Sequence, residues 1–394
     1  MFEVKMMKKA WKITWITLLS LLGVVVLTVG SYAIYVLASY SRIEDNLPLE
    51  VSKGAEEEKK VEVGETYSIT TYNIGFGAYS QDYTFFLDEG IELDGTKTVG
   101  HYSTCRSKEE MLANVQGARD AIVDIAPDFA FFQEVDLSAD RSYHHNQYET
   151  LRNAFSNYDA TFALNFHSSF LAYPLYDMHG ASKAGIATFS RFPLSEAVRK
   201  QFCVSTSFSK FFDLDRCFSV QQTPLSDGRN LHLINVHMSA YDEGGVIRQA
   251  QREQLNQYLK DCLTSGDEII VGGDFNHDLL THNPSTPYTK DNIPFASMIG
   301  QQKPNWLQYF FEEDGTVDLA DGMSVIASDN APTCRDADVV WKEGHTYVST
   351  IDGFLVSRGV EVISVETQVT KSEENVEHFA YSDHDPVCMK FRIK

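Results

Sequence analysis

The chain has 394 residues, a net charge of −22 and a hydrophobic content of 43%. This length fits one large α/β domain with a short appendage, and the apolar content is enough for a sizeable core. The acidic charge disfavours tight nucleic-acid binding, which usually needs a basic surface, and the six cysteines include no CxxC pair of the kind that holds zinc.

The N-terminal segment predicts a membrane-spanning helix. Four lysines within residues 1–12 precede an uncharged run over residues 13–41, and residues 13–38 are dominated by apolar side chains. Spanning a bilayer takes about 20 apolar residues, and a core helix would not be apolar on all faces over this length. A cleaved signal peptide is the alternative, although its apolar region is usually shorter, about 7–15 residues.

The charges around this segment predict its orientation. The lysines lie before the span and only Arg42 follows closely, so the positive-inside rule keeps the N-terminus in the cytoplasm. We expect a single-pass plasma-membrane protein with its folded domain outside the cytoplasm. The expected parts are a cytoplasmic basic tail (1–12), a transmembrane signal anchor (13–38), a polar stalk (39–63) and a catalytic domain (64–394).

Export of the folded domain from the cytoplasm would place its cysteines where disulfides can form. Cys203 and Cys217 flank a short segment and could join two adjacent strands. The alternative is that the six cysteines are buried free thiols.

The region after Val63 has an α/β pattern. Tyr67–Tyr72 alternates as a strand does, and Ser107–Glu110 is a capping box that begins a helix ended by Pro127. Phe129–Phe132 suits a buried strand. Further strands are predicted at Ala160–Asn165, Gly185–Ser190, Cys217–Gln222, Asn230–His237, Glu268–Gly272, Thr350–Val356, Val360–Thr367 and Val387–Ile393, and further helices at Asn146–Phe155 and Gly245–Thr264. This mixture predicts two mostly antiparallel sheets packed face to face, with helices outside.

One long stretch, Phe76–Arg106, has no clear period and carries several aromatic residues. Long loops in compact domains are often binding elements or lids. The alternative is a surface loop anchored by its aromatic side chains, and neither interpretation assigns catalysis to it.

Polar residues of a few kinds recur at or near the ends of the predicted strands. They are Asn73, Glu134, His237, Asp274, Asn276, Asp352, Asp383 and His384. Each alone could be a turn or surface residue. Together they indicate a site, because strand ends that converge on one sheet edge form a rigid platform and charged groups beside apolar strands are costly unless they bind something.

Six short motifs carry a family resemblance. They are Thr71-Tyr72-Asn73-Ile74-Gly75, Gln133-Glu134-Val135, Asn235-Val236-His237, Gly273-Asp274-Phe275-Asn276, Ile351-Asp352-Gly353 and Ser382-Asp383-His384-Asp385-Pro386-Val387. In this order they resemble the motif series of the endonuclease/exonuclease/phosphatase superfamily, over about Tyr67 to Lys394. The resemblance implies a four-layer α/β sandwich of the DNase I-like kind and a metal-dependent phosphoester hydrolase.

The resemblance also implies a metal site. Glu134 would be the principal Mg²⁺ ligand, with Asn73 and Asp383 completing an oxygen shell. Hard Mg²⁺ prefers carboxylate and amide oxygens, and it would neutralise charge on the phosphoryl oxygens. Mn²⁺ and Ca²⁺ are the alternative ions.

Proton transfer and phosphate binding are implied for five more residues. His384 would be the general base that deprotonates water, with Asp352 orienting its ring and Asp274 helping to position the water. Asn276 would donate to the phosphoryl oxygen. His237 would bind phosphate or protonate the leaving oxygen, and the assignment of acid and base between His237 and His384 stays open.

Three arginines are weaker candidates for substrate binding. Ser190-Arg191-Phe192-Pro193 resembles a family segment beside the site, while Arg141 and Arg335 lie in predicted loops and could contact an anionic substrate. Surface charge is the alternative for each.

Three functions are compatible with these features. The first is a membrane-anchored extracytoplasmic phosphodiesterase or phosphatase that acts on a lipid headgroup or a small phosphoester. The second is a surface nuclease, which the absence of a basic cluster after the membrane segment disfavours. The third is a non-catalytic binding module, which the retention of all six motifs disfavours. We infer no protein partner.

Overall fold

The computed structural model describes residues 2–205, 215–240, 245–285, 299–372 and 376–394. The helices in these ranges are α1 (Phe2–Ser39), α2 (Lys108–Ile125), α3 (Gln147–Ala154) and α4 (Val246–Leu263). The strands are β1 (Leu47–Pro48), β2 (Thr66–Asn73), β3 (Glu89–Ile91), β4 (Lys97–Val99), β5 (Phe129–Ala139), β6 (Asp159–Leu171), β7 (Gly180–Ser190), β8 (Ser195–Gln201), β9 (Cys217–Pro224), β10 (Asn230–His237), β11 (Glu268–Asp274), β12 (His277–Asp278), β13 (Gln308–Tyr309), β14 (Met323–Ile326), β15 (Cys334–Arg335), β16 (Val348–Ser349), β17 (Asp352–Ser357), β18 (Val360–Thr367) and β19 (Val387–Ile393).

Two large sheets organise the domain. One has the strand order β1-β8-β9-β10-β11-β17-β14, and the other has the order β18-β19-β2-β5-β7-β6. Neighbouring strands are antiparallel except in the pairs β10–β11 and β2–β5. The prediction of two mostly antiparallel sheets is therefore confirmed.

Apolar packing divides the molecule into four layers. Side chains of both sheets, including Phe129 and Leu233, meet in the central core. Outside the first sheet, Leu259 of α4 packs with strand residues. Outside the second sheet, Ile122 of α2 and Leu151 of α3 do the same. These layers confirm the predicted four-layer α/β sandwich.

Local sequence explains where α2 begins and ends. The Ser107 side chain accepts a hydrogen bond from the backbone N–H of Glu110, as the capping box predicts. At the other end, Ala126 adopts a left-handed conformation with φ of 50° and directs its N–H back to the last turn. Pro127 then directs the chain into β5.

The helix α1 matches the predicted membrane segment. Its portion Met6–Ser39 is long and apolar enough to cross a bilayer, and its side chains are almost all exposed in the structure. The apolar residues cover every face of the helix, as a lipid environment requires.

The segment after α1 differs from the expected polar stalk. Leu47–Pro48 pairs with β8, Ser52 forms a bridge with Ala160, and Val61 is completely buried. The prediction of a solvated stalk over residues 39–63 is wrong for residues 47–61. Apolar residues that stand among the charges of this segment pack against the sheet. Removing the segment would expose the central core.

No disulfide joins Cys203 and Cys217, the pair that the sequence suggested as a possible bridge. Cys217 is a buried free thiol, so it is not joined to Cys203. Burial raises the pKa of the Cys217 thiol to about 11, which makes it a weak nucleophile at neutral pH.

A buried polar contact joins the two sheets beside the central core. Gln133 Nε2 of β5 donates to Asn235 Oδ1 of β10 at 2.7 Å, and Asn235 Nδ2 donates to the carbonyl of Ala187 at 2.9 Å. Both side chains are fully buried. Because these groups have no access to water, the hydrogen bond between them helps to satisfy both buried amides.

Replacing Asn235 by alanine is expected to lower the free energy of unfolding by about 1–3 kcal/mol, because it removes the acceptor of one Gln133 N–H, whose amide then keeps only its Thr71 contacts, and the side-chain donor to the Ala187 carbonyl. Urea unfolding of the full chain in detergent measures this loss. Asn230→Ala, in the same strand but half-buried, is the matched control and should change stability by less than about 0.5 kcal/mol. Equal stability of the two variants would show that the contact between the sheets is unimportant.

Candidate active site

The strand register brings the polar residues of different motifs to one edge of the sandwich. His237 lies opposite Asp274 in the β10–β11 pair, and Asp274 lies opposite Asp352 in the β11–β17 pair. Asn73 ends β2 on the facing sheet. The two sheets thus present their strand ends to a common space, as the sequence predicts.

A β-bulge directs Glu134 into this space. Phe132 pairs with Ala187 and Val135 with Gly185, so β5 contains one more residue than its partner at this point. Glu134 adopts a left-handed conformation with φ of 54°, which is uncommon for a residue other than glycine. Bulges often re-aim a side chain beside an active site. Here the bulge turns the carboxylate out of the strand ladder.

Asp274 occupies the centre of the site. Its Oδ2 accepts a hydrogen bond from Asn73 Nδ2 at 3.0 Å and lies 3.5 Å from His237 Nε2 and 3.8 Å from His384 Nε2. Burial and the charge of Asp352 together raise the pKa of Asp274 to about 7, although the His384 ring lowers it. A carboxyl group near its pKa at neutral pH can accept or release a proton.

His384 and Asp352 form a buried dyad. The distance between His384 Nδ1 and Asp352 Oδ2 is 2.8 Å, which fixes the ring and leaves Nε2 directed toward Asp274. Burial alone would lower the pKa of His384, but the charge and hydrogen bond of Asp352 outweigh it and raise the pKa well above its ordinary value. The imidazolium is therefore favoured among these carboxylates.

His237 has the opposite electrostatic setting. It is almost completely buried, and burial, Arg216, His384 and Arg141 together lower its pKa well below the ordinary value. The ring is consequently neutral at physiological pH. Of the two roles that the sequence left open, a hydrogen-bond donor to phosphate fits a neutral ring better than an acid that protonates the leaving oxygen.

The two asparagines are held by backbone groups. Asn73 Oδ1 accepts from the N–H of Gly75 at 3.0 Å, while its Nδ2 also donates to Glu134 Oε1 at 3.2 Å. In this orientation the amide nitrogen, not the oxygen, faces the carboxylates. Asn276 Nδ2 donates to the carbonyl of Met238 at 2.8 Å, and its second N–H is available to a ligand in the cavity.

The donor set suits a hard divalent cation. Glu134, Asp274 and Asp383 supply carboxylate oxygens, and the pKa of Asp383 is raised to about 6 by burial and by Glu134. Desolvated carboxylates that repel one another are stabilised by a cation. Among the described residues, ligand atoms within 4.8 Å of one another form two groups, Asp274 with Asp352 and His384, and Cys334 with Asp383 and His384. Glu134 belongs to neither group, and Asp352 already holds His384.

Metal affinity is expected to depend on pH. Asp274 and Asp383 have pKa values raised to about 7 and about 6, so protons compete with the cation as the pH falls through this range. Calorimetric titration of the full chain with Mg²⁺ should give at least about tenfold weaker binding at about pH 5.5 than at about pH 8, with proton release at the lower pH. Equal affinity at both pH values would contradict the assignment of these carboxylates as ligands.

A cavity of about 670 Å³ opens above these residues. Most of its wall is apolar, and the long region Phe76–Arg106 contributes Phe76, Tyr79, Phe85, Phe86 and Leu87. These aromatic rings pack on one another and on α2. The region therefore forms an ordered wall of the cavity, anchored by its aromatic side chains.

The three candidate arginines have different positions. Arg141 lines the cavity but is paired with Asp136 at 2.8 Å. Arg335 also lines it, fully buried, and donates to backbone carbonyls including those of Ser80 and Tyr83. Both guanidinium groups are thus already engaged in contacts within the protein.

Arg191 lies outside the site. It follows β7, whose last residue, Ser190, pairs with Phe129 at the start of β5, whereas Glu134 lies five positions further along. The Arg191 side chain donates to Tyr158 at 2.7 Å. The prediction that Arg191 contacts substrate is wrong in this structure, because antiparallel pairing carries it to the opposite end of the sheet.

Several residues of the cavity wall were not singled out from the sequence, among them Arg216 and Cys334. Arg216 precedes β9 and acts on the charge of His237, and Cys334 Sγ lies 3.6 Å from His384 Nε2. Neither belongs to a recognisable motif. Their positions directly before or within strands that end at the site are the signal that could have found them.

Comparison with known proteins agrees with this architecture. Residues 111–384 match the Endonuclease/Exonuclease/phosphatase family. No curated protein matches the chain. Among solved structures, TDP2 from Caenorhabditis elegans is 15% identical with a TM-score of 0.50, over 84% of this chain and 75% of that one.

Two further solved structures are similar. An endonuclease/exonuclease/phosphatase from Beutenbergia cavernae is 15% identical with a TM-score of 0.47, over 83% of this chain and 72% of that one. The human Nocturnin catalytic domain is 17% identical with a TM-score of 0.48, over 88% and 97%. The match of the family over most of the chain, together with the four-layer fold, shows that this chain belongs to the endonuclease/exonuclease/phosphatase family.

Proposed function

We propose that the chain is a membrane-anchored, extracytoplasmic, Mg²⁺-dependent phosphoester hydrolase. The observation that carries the proposal is the convergence of a carboxylate cluster, the Asp352–His384 dyad and a neutral His237 on one cavity. Metal-dependent phosphoester hydrolysis needs these three parts: a cation site, a group that moves a proton, and donors for the phosphoryl oxygens.

The residues of the chain divide the chemistry as follows. In its neutral form, His384 Nε2 takes the proton of an attacking water, and Asp352 holds the ring in the orientation that this transfer needs. Asp274, whose Oδ2 lies 3.8 Å from His384 Nε2, helps to position the same water. His237 and Asn276 donate hydrogen bonds to phosphoryl oxygens as negative charge develops there.

Glu134, Asp383 and Asp274 would hold the cation. When bound, it would neutralise charge on the phosphoryl oxygens and oppose the carboxylate field that keeps the proton on His384. Asn73 bridges two of these carboxylates with its amide nitrogen. We assign it the role of setting their separation, since direct ligation would require its amide to turn over and lose the Gly75 hydrogen bond.

The helix α1 supports a membrane location. Four lysines precede the span, and only Arg42 follows it closely, where it is paired with Asp215 at 2.6 Å. The positive-inside rule then places the domain outside the cytoplasm. The tail (1–12), the anchor (13–38) and the catalytic domain are part of this proposal, with the domain extended to include the packed segment after α1.

The shape and charge of the molecule favour a lipid headgroup or small phosphoester over nucleic acid. The net charge is −22, so a polyanion would meet long-range repulsion. A cavity of about 670 Å³ with a mostly apolar wall is of the size that holds a small ligand.

A substrate panel tests the proposal. The full chain in detergent with Mg²⁺ would be incubated separately with sphingomyelin, phosphoinositides, water-soluble nitrophenyl phosphate esters and plasmid DNA. We expect hydrolysis of at least one lipid or small ester that disappears in His384→Ala. Cleavage of DNA at low enzyme, lost in the same variant, would replace this proposal with the nuclease, and no hydrolysis of any substrate would favour a binding module.

A further inference from the structure

The mouth of the cavity carries exposed apolar side chains. Five of them lie within nine residues at the tip of the β6–β7 hairpin, and one lies in the cavity wall beside it. We call this set the rim patch: Leu87, Phe170, Tyr173, Leu175, Tyr176 and Met178. Leu175 is 77% exposed and Tyr176 is 64% exposed. Soluble monomers rarely expose large apolar patches, so a concentration of this kind indicates a contact surface.

Hydrogen bonds and a ring contact fix the hairpin tip in a conformation that leaves these side chains exposed. Asp177 accepts hydrogen bonds from the backbone N–H of Ser103 at 2.7 Å and from the Thr104 hydroxyl at 2.7 Å. The ring of Tyr176 stacks on His101 with centroids 5.2 Å apart. These contacts bind the backbone of the tip to residues 101–104 while the apolar side chains stay exposed.

The rim patch is continuous with the cavity. Leu87 and Tyr173 belong to both, and Tyr173 contacts Phe86 of the wall with ring centroids 5.7 Å apart. A molecule that covers the rim patch therefore lies directly over the entrance to the candidate active site.

The hairpin tip is also bonded to α1. Tyr32 accepts from the N–H of Ala172 at 2.8 Å and donates to the carbonyl of Phe170 at 3.1 Å. Tyr35 accepts from the N–H of Phe170 at 3.1 Å. The rim patch is thus tied to one end of the apolar helix.

Aromatic residues mark the two membrane boundaries of α1. Trp11 and Trp15 lie near one end, and Tyr32 and Tyr35 near the other. These pairs are about 26–36 Å apart at 1.5 Å per residue, which matches a hydrocarbon core of about 30 Å. Tyrosine and tryptophan favour the membrane–water interface. The tyrosine end of α1, and the hairpin tip bonded to it, therefore lie at an interface.

We propose that the rim patch docks on the surface of the bilayer that α1 crosses, so that the cavity receives the phosphoester headgroup of a membrane lipid. This inference rests on the proposed function and narrows its substrate class. Because the chain is acidic, attraction to anionic lipid does not drive the contact, and the aromatic and aliphatic side chains do.

Site-specific fluorescence tests the docking. Leu175→Cys in the full chain would carry an environment-sensitive fluorophore in phosphatidylcholine vesicles, some of whose lipid bears a doxyl quencher. Ile363→Cys is the matched control, because Ile363 is 48% exposed on β18, the strand at the opposite edge of the sheet from β6. The unchanged chain gives the background from its own cysteines.

We expect the fluorophore at position 175 to emit at shorter wavelength and to be quenched by the doxyl lipid, with neither change at position 363. Equal behaviour of the two positions would overturn the docking. A wavelength shift that depends on protein concentration and not on the doxyl lipid would also overturn it, because a second copy of the chain would then cover the patch.

Activity separates failure of the docking from failure of the proposed function. Leu175→Ser combined with Tyr176→Ser should lower hydrolysis of a lipid in vesicles several-fold and leave hydrolysis of a water-soluble nitrophenyl ester unchanged. Equal rates on vesicles in the variant and the unchanged chain would contradict the role of the patch. Loss of every hydrolysis in the unchanged chain, with position 175 quenched by lipid, would support docking and refute the proposed function.

Discussion

Replacing His384 by alanine is expected to lower the rate of phosphoester hydrolysis by about 10²–10⁴-fold, the usual contribution of a positioned general base. The ring is held by Asp352 at 2.8 Å, and its Nε2 faces the carboxylate cluster. Alanine leaves no group that accepts the proton of water at this point. The measurement is kcat/KM on the ester that the unchanged chain hydrolyses best.

His167→Ala is the control for this variant, because His167 is an exposed histidine. It should retain full activity. Asp352→Asn should lower kcat with little change in KM, since it alters the orientation and charge of His384 without touching the substrate. If His384→Ala retained more than about a tenth of the activity, the assignment of His384 as the base would be wrong.

Replacing Glu134 by glutamine is expected to weaken Mg²⁺ binding at least about tenfold and to raise the Mg²⁺ concentration needed for half-maximal activity by a similar factor. Glutamine keeps the size of the side chain but removes the negative charge that a hard cation prefers. The bulge keeps the position of the side chain, so the loss reports ligand charge rather than folding.

Calorimetric titration and the Mg²⁺ dependence of hydrolysis both measure this change. Glu149→Gln, at an exposed position of α3, removes the same charge away from the cavity and should leave both curves unchanged. An unchanged Mg²⁺ requirement in Glu134→Gln would show that the metal site has been placed on the wrong residues.

Much of the fold could be predicted because its signals are local. The capping residue Ser107 marks the start of α2, and the strand patterns at Asn230–His237 and Val387–Ile393 match β10 and β19 at both ends. The strands β8 and β14 were missed: β14 is an edge strand, and only the two-residue strand β1 lies outside β8. Edge strands bury fewer side chains, so their alternation is weak in the sequence.

The candidate site could be predicted only as a set of residues. Asp274, Asp352 and His384 meet through sheet register, which the sequence does not specify, although the motif order indicated that they converge. The left-handed bulge at Glu134 and the removal of Arg191 to the far end of the sheet depend on long-range pairing. No local pattern encodes either.

The expected stalk was wrong for a related reason. Residues such as Val61 and Leu47 stand among many charges, and the average composition of the segment is polar. Burial of Val61 and pairing of Leu47 depend on the sheet edge that receives them. The composition of the segment does not show which sheet edge it packs against.

Phosphoester hydrolysis is expected to depend on a cation held by the carboxylate cluster. The most direct measurement is the rate of nitrophenyl ester hydrolysis by the full chain after chelation and then during Mg²⁺ titration. We expect no hydrolysis in the presence of chelator, and a saturable recovery of the rate as Mg²⁺ is added. A rate that is the same with chelator and with Mg²⁺ would contradict it.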